Sequence, residues 1–494
     1  DDRYIERNPL MSAPPATVNV GPSTNFTRLA RISPPETWRQ IRTRLRETGS
    51  EVDDTFEPGR TSGIFTSATG ITIYRGDAWP EKYRGNAFVG EVANNLVYVA
   101  RFKIEGLNIQ AERFAPDAEF LASRDTWSRP VQFTHGPDGN LYVLDMYRQL
   151  IEGVQWVPPQ LLAEMDPTAG SDRGRIYRIT PMGFKEPPSV RLGNASTLEL
   201  VTLLDHPNSW HRETAARLLY QRQDLQAVEP LRRLFANSSF APGRLHAMYV
   251  LDGLASLRSE DVLLGMNDDH PRVREHAVRL AEKFAGLSKE VRQKYNELVQ
   301  DSDLGVRFQL AFSLGEVPAT LRNDALLTLL RNDGGDSWFR MAIQSSLAEG
   351  AADFVTLVLN DESLCNLQHG RDQIIALAKQ IGRNKQTAEL QRLVQSIDRT
   401  DEERLRPILE PLLTALLDGG AGISMETLAE LSHGIVRRYA EALLTTARAR
   451  ALDPSQPTEA RLDAISLLGC GSFAAEREAF DELLTPQQPQ PIQE

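Results

Sequence analysis

The sequence predicts a multidomain β + α chain, β-rich over residues 1–183 and all-α over residues 197–484. Three observations carry this. Short runs of alternating apolar and polar residues, punctuated by Gly, Pro and Asp turns, continue as far as Ile179. After Ser196 the apolar spacing changes from every second residue to the 3.6-residue helical period. The helical part then repeats itself at an interval of about 32 residues.

Taken in order, residues 1–32 are rich in Pro, Asn and Thr, with short β-type pieces such as Thr17–Val20. Ser33-Pro34-Pro35-Glu36 reads as a helix start, with Ser33 as cap, Pro34 at the first helical position and Glu36 closing a capping box. The helix that follows places Arg39, Arg42 and Arg46 on one face, expected to be solvated. Gly63–Thr66 and Ile71–Tyr74 read as strands around an Ala68-Thr69-Gly70 turn. Gly85–Glu91 and Leu96–Phe102 form a second strand pair, after a loop from Arg75 to Tyr83 rich in charge and aromatic residues. Arg129–Phe133 and Leu141–Asp145 flank Pro137-Asp138-Gly139-Asn140, whose Pro presets φ, whose Asp bonds its own backbone and whose Gly tolerates positive φ. Gly174–Ile179 is a closing strand. A strand, a PDGNLYV hairpin and a GRIYRI strand are typical of β-propeller blades. The β region holds three to four blades' worth of strand, too little for a six-bladed ring at roughly 40–45 residues per blade. It is therefore expected to be a partial propeller.

Residues 184–196 are a Pro-containing linker. In the repeats beyond it, an Arg is followed by small or apolar residues at +3 and +4. The series is Arg212, Arg244, Arg274, Arg307, Arg340, Arg371 and, three degenerate units later, Arg461. Two short helices per unit at this period resemble HEAT repeats, in which no unit buries its apolar face alone. The Arg is expected to bond acidic groups of the turns as a ladder. Asp205-His206-Pro207 recurs as Asp269-His270-Pro271, so these histidines mark equivalent turns rather than two ligands of one metal. Residues 485–494 form a polar, Pro-rich tail expected to be disordered.

Composition narrows the function classes. Of the net charge of −12, residues 1–195 carry −1 and the helical array −11, which argues against nucleic acid or an anionic membrane as its partner. No apolar run is long enough to span a bilayer. The two cysteines, Cys365 and Cys470, are expected to be buried thiols in helices. There is no HExxH, GxSxG, Walker or GxGxxG constellation, and no CxxCH haem attachment. The chain starts at Asp1 without a signal-peptide pattern, as a processed or truncated product would.

Chemistry in a propeller sits on loops at one end of the channel. Candidates there are Arg75, Asp77, Arg124, Asp125, Arg129, His135, Asp145 and Arg148. His135, the only histidine before residue 196, and Asp145 are the candidate catalytic residues. Arg124, Arg129 and Arg148 are the candidates for holding an anionic cofactor by bidentate contacts.

The motifs TIYRGDAWPEKYRGNAFVGEVANNLVYVARF, EFLASRDTWSRPVQFTHGPDGNLYVLDMYRQLIE and DRGRIYRITP, followed by HEAT-like repeats, resemble the bacterial PVC-type membrane-bound dehydrogenases. That resemblance implies a sorbosone or glucose dehydrogenase-like propeller oxidising a sugar, alcohol or aldehyde with pyrroloquinoline quinone and calcium. It implies a periplasmic or extracytoplasmic setting, and a cytochrome c as electron acceptor on a partner or a further domain. The histidine that many relatives carry after the MYR…IE stretch is absent here, where Ile151-Glu152 is followed by Gly153-Val154. The alternative function is a non-catalytic binding or scaffold protein, with the propeller as a docking head and the solenoid as a surface for a protein partner.

Overall fold

The computed structural model describes residues 2–11, 29–34, 36, 65, 67–151, 157, 159–384, 387–417 and 423–493. The predicted strand at Thr17–Val20, all of Gly63–Thr66 except Phe65, and the arginine-bearing helix after Glu36 lie outside the described residues. The chain is mixed α/β, with small antiparallel sheets and a helical solenoid-like C-terminal region. It divides into two compact units, residues 17–261 and residues 1–16 with 262–494. The division of compact units falls inside the helical array, because the first helical hairpins pack with the sheets.

The residue 17–261 unit holds two antiparallel sheets. The first comprises β1 (Ala68–Ile73), β2 (Ala87–Glu91), β3 (Leu96–Glu105) and β4 (Asn108–Arg113) in that order, with β5 (Leu121–Ala122) pairing to β3. The second is β6 (Pro130–His135), β7 (Leu141–Asp145) and β8 (Arg175–Ile179). Among the described residues the blade-like strands form these two sheets and no closed ring. Strand β4 is an addition to the reading from sequence. Its burial is mostly shallow, so it carries no apolar alternation to reveal it. Strand β3 is buried on both faces: Val97 and Val99 face a core with Tyr74, Phe88, Phe133, Leu141 and Val143, while Leu96, Tyr98 and Ala100 join a second cluster.

Ala68-Thr69-Gly70 lies within β1 rather than forming a turn. The register slips between Thr69 and Ile71, and Gly70 takes φ +50°. A Cβ there would fall 2.3 Å from the Val131 carbonyl oxygen, so the bulge lets β1 approach β6. The Ser33 capping box is also replaced. Ser33 donates to Asn95 Oδ1 at 2.7 Å, and Glu36 accepts from Arg129 at 2.9 Å.

The helices begin where the sequence places capping side chains. Ser196 with Glu199 forms a full capping box, and Asn208, Ser288, Asp303 and Asp336 each accept a backbone N–H of the first turn. The repeated arginines close the turns behind them. Nη1 of Arg212, Arg244, Arg274, Arg307 and Arg340 donates in each case to the carbonyl six residues earlier. Arg274 also grips Asp301 at 2.7 and 2.8 Å, and Arg307 grips Asp333 at 2.8 Å twice, so each ties its own turn to the next unit. His206 and His270 play matching parts, each Nδ1 accepting the N–H two residues on.

Two expectations for the helical unit are corrected. Cys365 is buried in a helix, but Cys470 lies half-buried in the turn after Thr458–Leu468; neither forms a disulfide. The tail is ordered: Gln490–Gln493 is helical and Ile492 is buried against Ala464, Leu468, Ala479 and Leu483. One isoleucine suffices because the last helical pair otherwise leaves its apolar face uncovered.

Candidate functional site

The β6–β7 hairpin carries most of the candidate residues, and the register separates them. Pro130 pairs with Asp145 at one end and His135 with Leu141 at the other. At about 3.3 Å per residue the two candidate catalytic residues lie roughly 15 Å apart along the hairpin.

At the Asp145 end Asp145 and Arg129 are buried, Arg129 fully. Its Nη1 donates to the Val92 carbonyl at 2.8 Å, its Nε to Arg148 O at 2.9 Å, and its Nη2 to Gln149 O at 2.6 Å and Glu36 Oε1 at 2.9 Å. Asp145 Oδ1 accepts the backbone N–H groups of Arg129 at 2.6 Å and Tyr147 at 2.9 Å, and Oδ2 accepts from Ser128 at 3.2 Å. This carboxylate shapes the turn that holds Tyr147 at φ +50°. Arg148 donates to the Pro167 carbonyl at 2.7 Å, Arg124 is exposed, and Asp125 caps its own turn through the Trp127 N–H at 2.9 Å. The Arg129 fork is thus taken up by carbonyls and a carboxylate. Among the described residues no three His, Cys, Asp or Glu side chains stand together as a metal ion would need.

At the other end, His135 Nε2 lies 2.8 Å from Ser209 Oγ at the start of the helix Ser209–Arg222. The pairing has the look of a nucleophile and its base, but the geometry is structural. Ser209 is fully buried, and His135 Nδ1 is buried with no hydrogen-bond partner among the described residues, so nothing orients the imidazole as a base. Burial, reinforced by Arg75, holds the His135 pKa below its usual value and keeps the ring neutral. Around it Arg75 pairs with Glu213 at 2.5 Å, Asn208 donates to the Gly136 carbonyl at 3.0 Å, and His211 Nε2 lies 2.8 Å from Pro137 O. The hairpin tip is thus latched to the first helical hairpin. Asp77 is exposed on the adjoining loop.

A cleft among the described residues of this unit lies elsewhere. It holds about 310 Å³ and is lined by Trp79, Tyr83, Phe114 and Phe120, with Arg113 and Glu119 on one wall. The rings meet edge-on or stacked at 5.1–5.9 Å. Arg113 and Glu119 are directly paired, and Glu119 also accepts the Ala30 N–H at 2.9 Å. The loop bearing Trp79 is anchored by Tyr74, which accepts the Trp79 N–H at 3.0 Å and donates to Gly139 O at 2.6 Å. The density of aromatics between Arg75 and Tyr83 was the sequence signal for this cleft. Phe114 and Phe120, one strand pair away, had none.

A family model described as a domain of unknown function, DUF7133, matches residues 1–183. No curated protein matches the chain. Among solved structures, an engineered protein from a structural genomics consortium is 16% identical, with TM-score 0.22, covering 60% of this chain and 96% of its own. A designed armadillo repeat protein in complex with the peptide (KR)4 is 14% identical, with TM-score 0.18, covering 56% and 99% respectively.

Proposed function

We propose that this chain is a non-catalytic docking protein, a head built from propeller-type blades joined to a HEAT-like scaffold for protein partners. The observation that carries this reading is the fate of Arg129 and Asp145. A cofactor clamp or catalytic carboxylate must keep free valences toward an opening. Here both groups are buried and bonded into the turn that ends the hairpin. The motifs resembling PVC-type dehydrogenases, and the two stacked blade-like sheets, support a shared ancestry of the head on this reading rather than a shared reaction. The resemblance also supports an extracytoplasmic setting as part of the same proposal. The aromatic cleft then serves as the head's ligand surface. Its flat faces and the polar Arg113–Glu119 wall suit a sugar ring, which offers apolar faces and hydroxyl edges.

The test is direct. Purified protein supplied with pyrroloquinoline quinone and Ca²⁺ is offered a panel of aldoses, sugar alcohols and aldehydes, and reduction of a dye is followed. Rates equal to the blank are expected, together with calorimetric binding of oligosaccharides that Trp79→Ala removes. Quinone-dependent turnover that is lost on His135→Asn would overturn the docking reading and restore the dehydrogenase.

A further inference from the structure

The helical unit already holds a short peptide, its own residues 2–11. The helix Asp2–Arg7 lies across a row of four helices, Pro271–Ala285, Leu304–Ser313, Ser337–Ser345 and Gln368–Arg383. Each of the four contributes a polar reader. Tyr4 donates to Glu282 Oε1 at 2.6 Å and accepts from Gln309 Nε2 at 2.7 Å. Its ring stacks on Phe312 with centroids 4.5 Å apart. Asn8 Nδ2 donates to Gln344 O at 2.6 Å and to Gln380 Oε1 at 3.0 Å.

Arg7 makes the densest set of bonds. It donates to the Phe312 carbonyl at 2.7 Å, the Ser345 carbonyl at 3.0 Å and Glu316 Oε1 at 2.9 Å. It also reaches Ser345 Oγ at 3.1 Å and Ser346 Oγ at 3.3 Å. Phe312 and Ser345 stand in the last turns of their helices, where the negative dipole end favours a cation. Gly315 makes room: a Cβ there would fall 2.2 Å from Arg7 Cζ. The receiving side chains Glu282, Ser345, Ser346 and Gln380 are all at least nine-tenths buried, as is Gln344, whose backbone carbonyl receives Asn8. Buried polar groups of this kind are stable only when paired. They pair partly with one another, as Gln344 Nε2 does with Gln380 Oε1 at 3.1 Å, and partly with the segment.

A core helix contributes apolar side chains to its neighbours, whereas this one is held by specific polar contacts at Tyr4, Arg7 and Asn8. That is the chemistry of peptide recognition, in which spaced anchors are read by a preformed groove. Resting on the docking reading above, we propose that this row of helices is a peptide-reading surface for a partner segment presenting Tyr, Arg and Asn at i, i+3 and i+4. Residues 2–11 occupy it in cis as a displaceable occupant and so set the threshold for the partner.

The test uses the full chain with a protease site inserted between Ala16 and Thr17, and a labelled peptide of residues 2–11 followed by fluorescence anisotropy. Before cleavage the tethered copy competes at an effective concentration on the order of millimolar, so the labelled peptide binds at least tenfold more weakly than after cleavage and washing. The cleaved protein discriminates at least tenfold against the peptide carrying Arg7→Ala, and Gln380→Ala in the protein, which removes the side-chain acceptor of Asn8, weakens the native peptide. Equal binding of native and scrambled peptides, or no gain on cleavage, overturns the proposal. Should cleavage unfold the protein, hydrogen exchange on the uncut chain decides: residues 2–11 exchange at least tenfold faster than Pro271–Ala285, and equal protection overturns displaceability. Absence of peptide exchange alongside absence of dye reduction removes only this inference. Quinone-dependent turnover removes the docking reading whatever the peptide does.

Discussion

Replacing Arg129 with Met separates the two roles an arginine at this position can have. Met keeps much of the aliphatic length and removes the guanidinium. Three backbone carbonyls, the buried one of Val92 and the part-buried ones of Arg148 and Gln149, lose a charged donor, and Glu36 is left without this ion-pair partner. Breaking a buried ion pair from one side costs about 3–5 kcal/mol. Each carbonyl deprived of its donor adds on the order of 1 kcal/mol, less where water reaches it. These terms overlap, so a loss of about 5 kcal/mol is the working figure, a large part of the roughly 5–15 kcal/mol that holds a typical domain. Urea unfolding followed by circular dichroism and tryptophan fluorescence measures it. Adding Glu36→Gln to Arg129→Met recovers part of the loss, because the uncompensated carboxylate is gone, and the double-mutant cycle reads that coupling. A single variant within 1 kcal/mol of wild type would refute the reasoning. So would unchanged stability with loss of anion binding, the signature of a cofactor clamp.

Three further outcomes follow from the geometry. Arg274→Ala, which cuts two bonds to the buried Asp301, should destabilise the helical unit by about 3 kcal/mol, whereas Arg340→Ala, whose Asp372 partner stands 3.5 Å away and more exposed, should cost about 1 kcal/mol; chemical denaturation compares them. Burial, then Arg212 and Arg75, pushes the His246 pKa down to about 4. The unfolded chain, with its histidine near 6.5, takes up the proton first. Stability is therefore full above about pH 6.5 and falls as the pH drops toward 4. Urea midpoints at pH 7.5 and 5.0 should differ, and His246→Gln should narrow the gap. Ile492→Ala uncovers the last cluster at a cost of about 2 kcal/mol, and hydrogen exchange should rise in Thr458–Leu468 and Phe473–Leu483 before the rest of the array.

The hairpin β6–β7, the strand β8 and the repeated arginines were legible because their signals are local. Alternation, a PDG turn and an Arg at a fixed phase are each complete within a few residues. The candidate site was legible as residue types and not as an arrangement. Arg129 looks the same in sequence whether it faces an opening or a nest of carbonyls. His135 gave no hint of Ser209, 74 residues away. The aromatic cleft shows the same division, since Trp79 and Tyr83 announced a loop while Phe114 and Phe120 came to it through strand pairing.

The sequence by itself determined that the chain is β-type first and helical afterwards, that the helices repeat, and where the Pro137–Asn140 turn falls. Those features depend on neighbours within one turn or one strand, where the side chain acts directly on its own backbone. Tertiary structure alone decided that the first helices up to Asp261 pack in one compact unit with the sheets, that Arg129 is buried, and that residues 2–11 seat on helices some 300 positions later. Such contacts are set by the burial of surfaces distant in sequence. The packed chain brings those surfaces together, and no local periodicity records them.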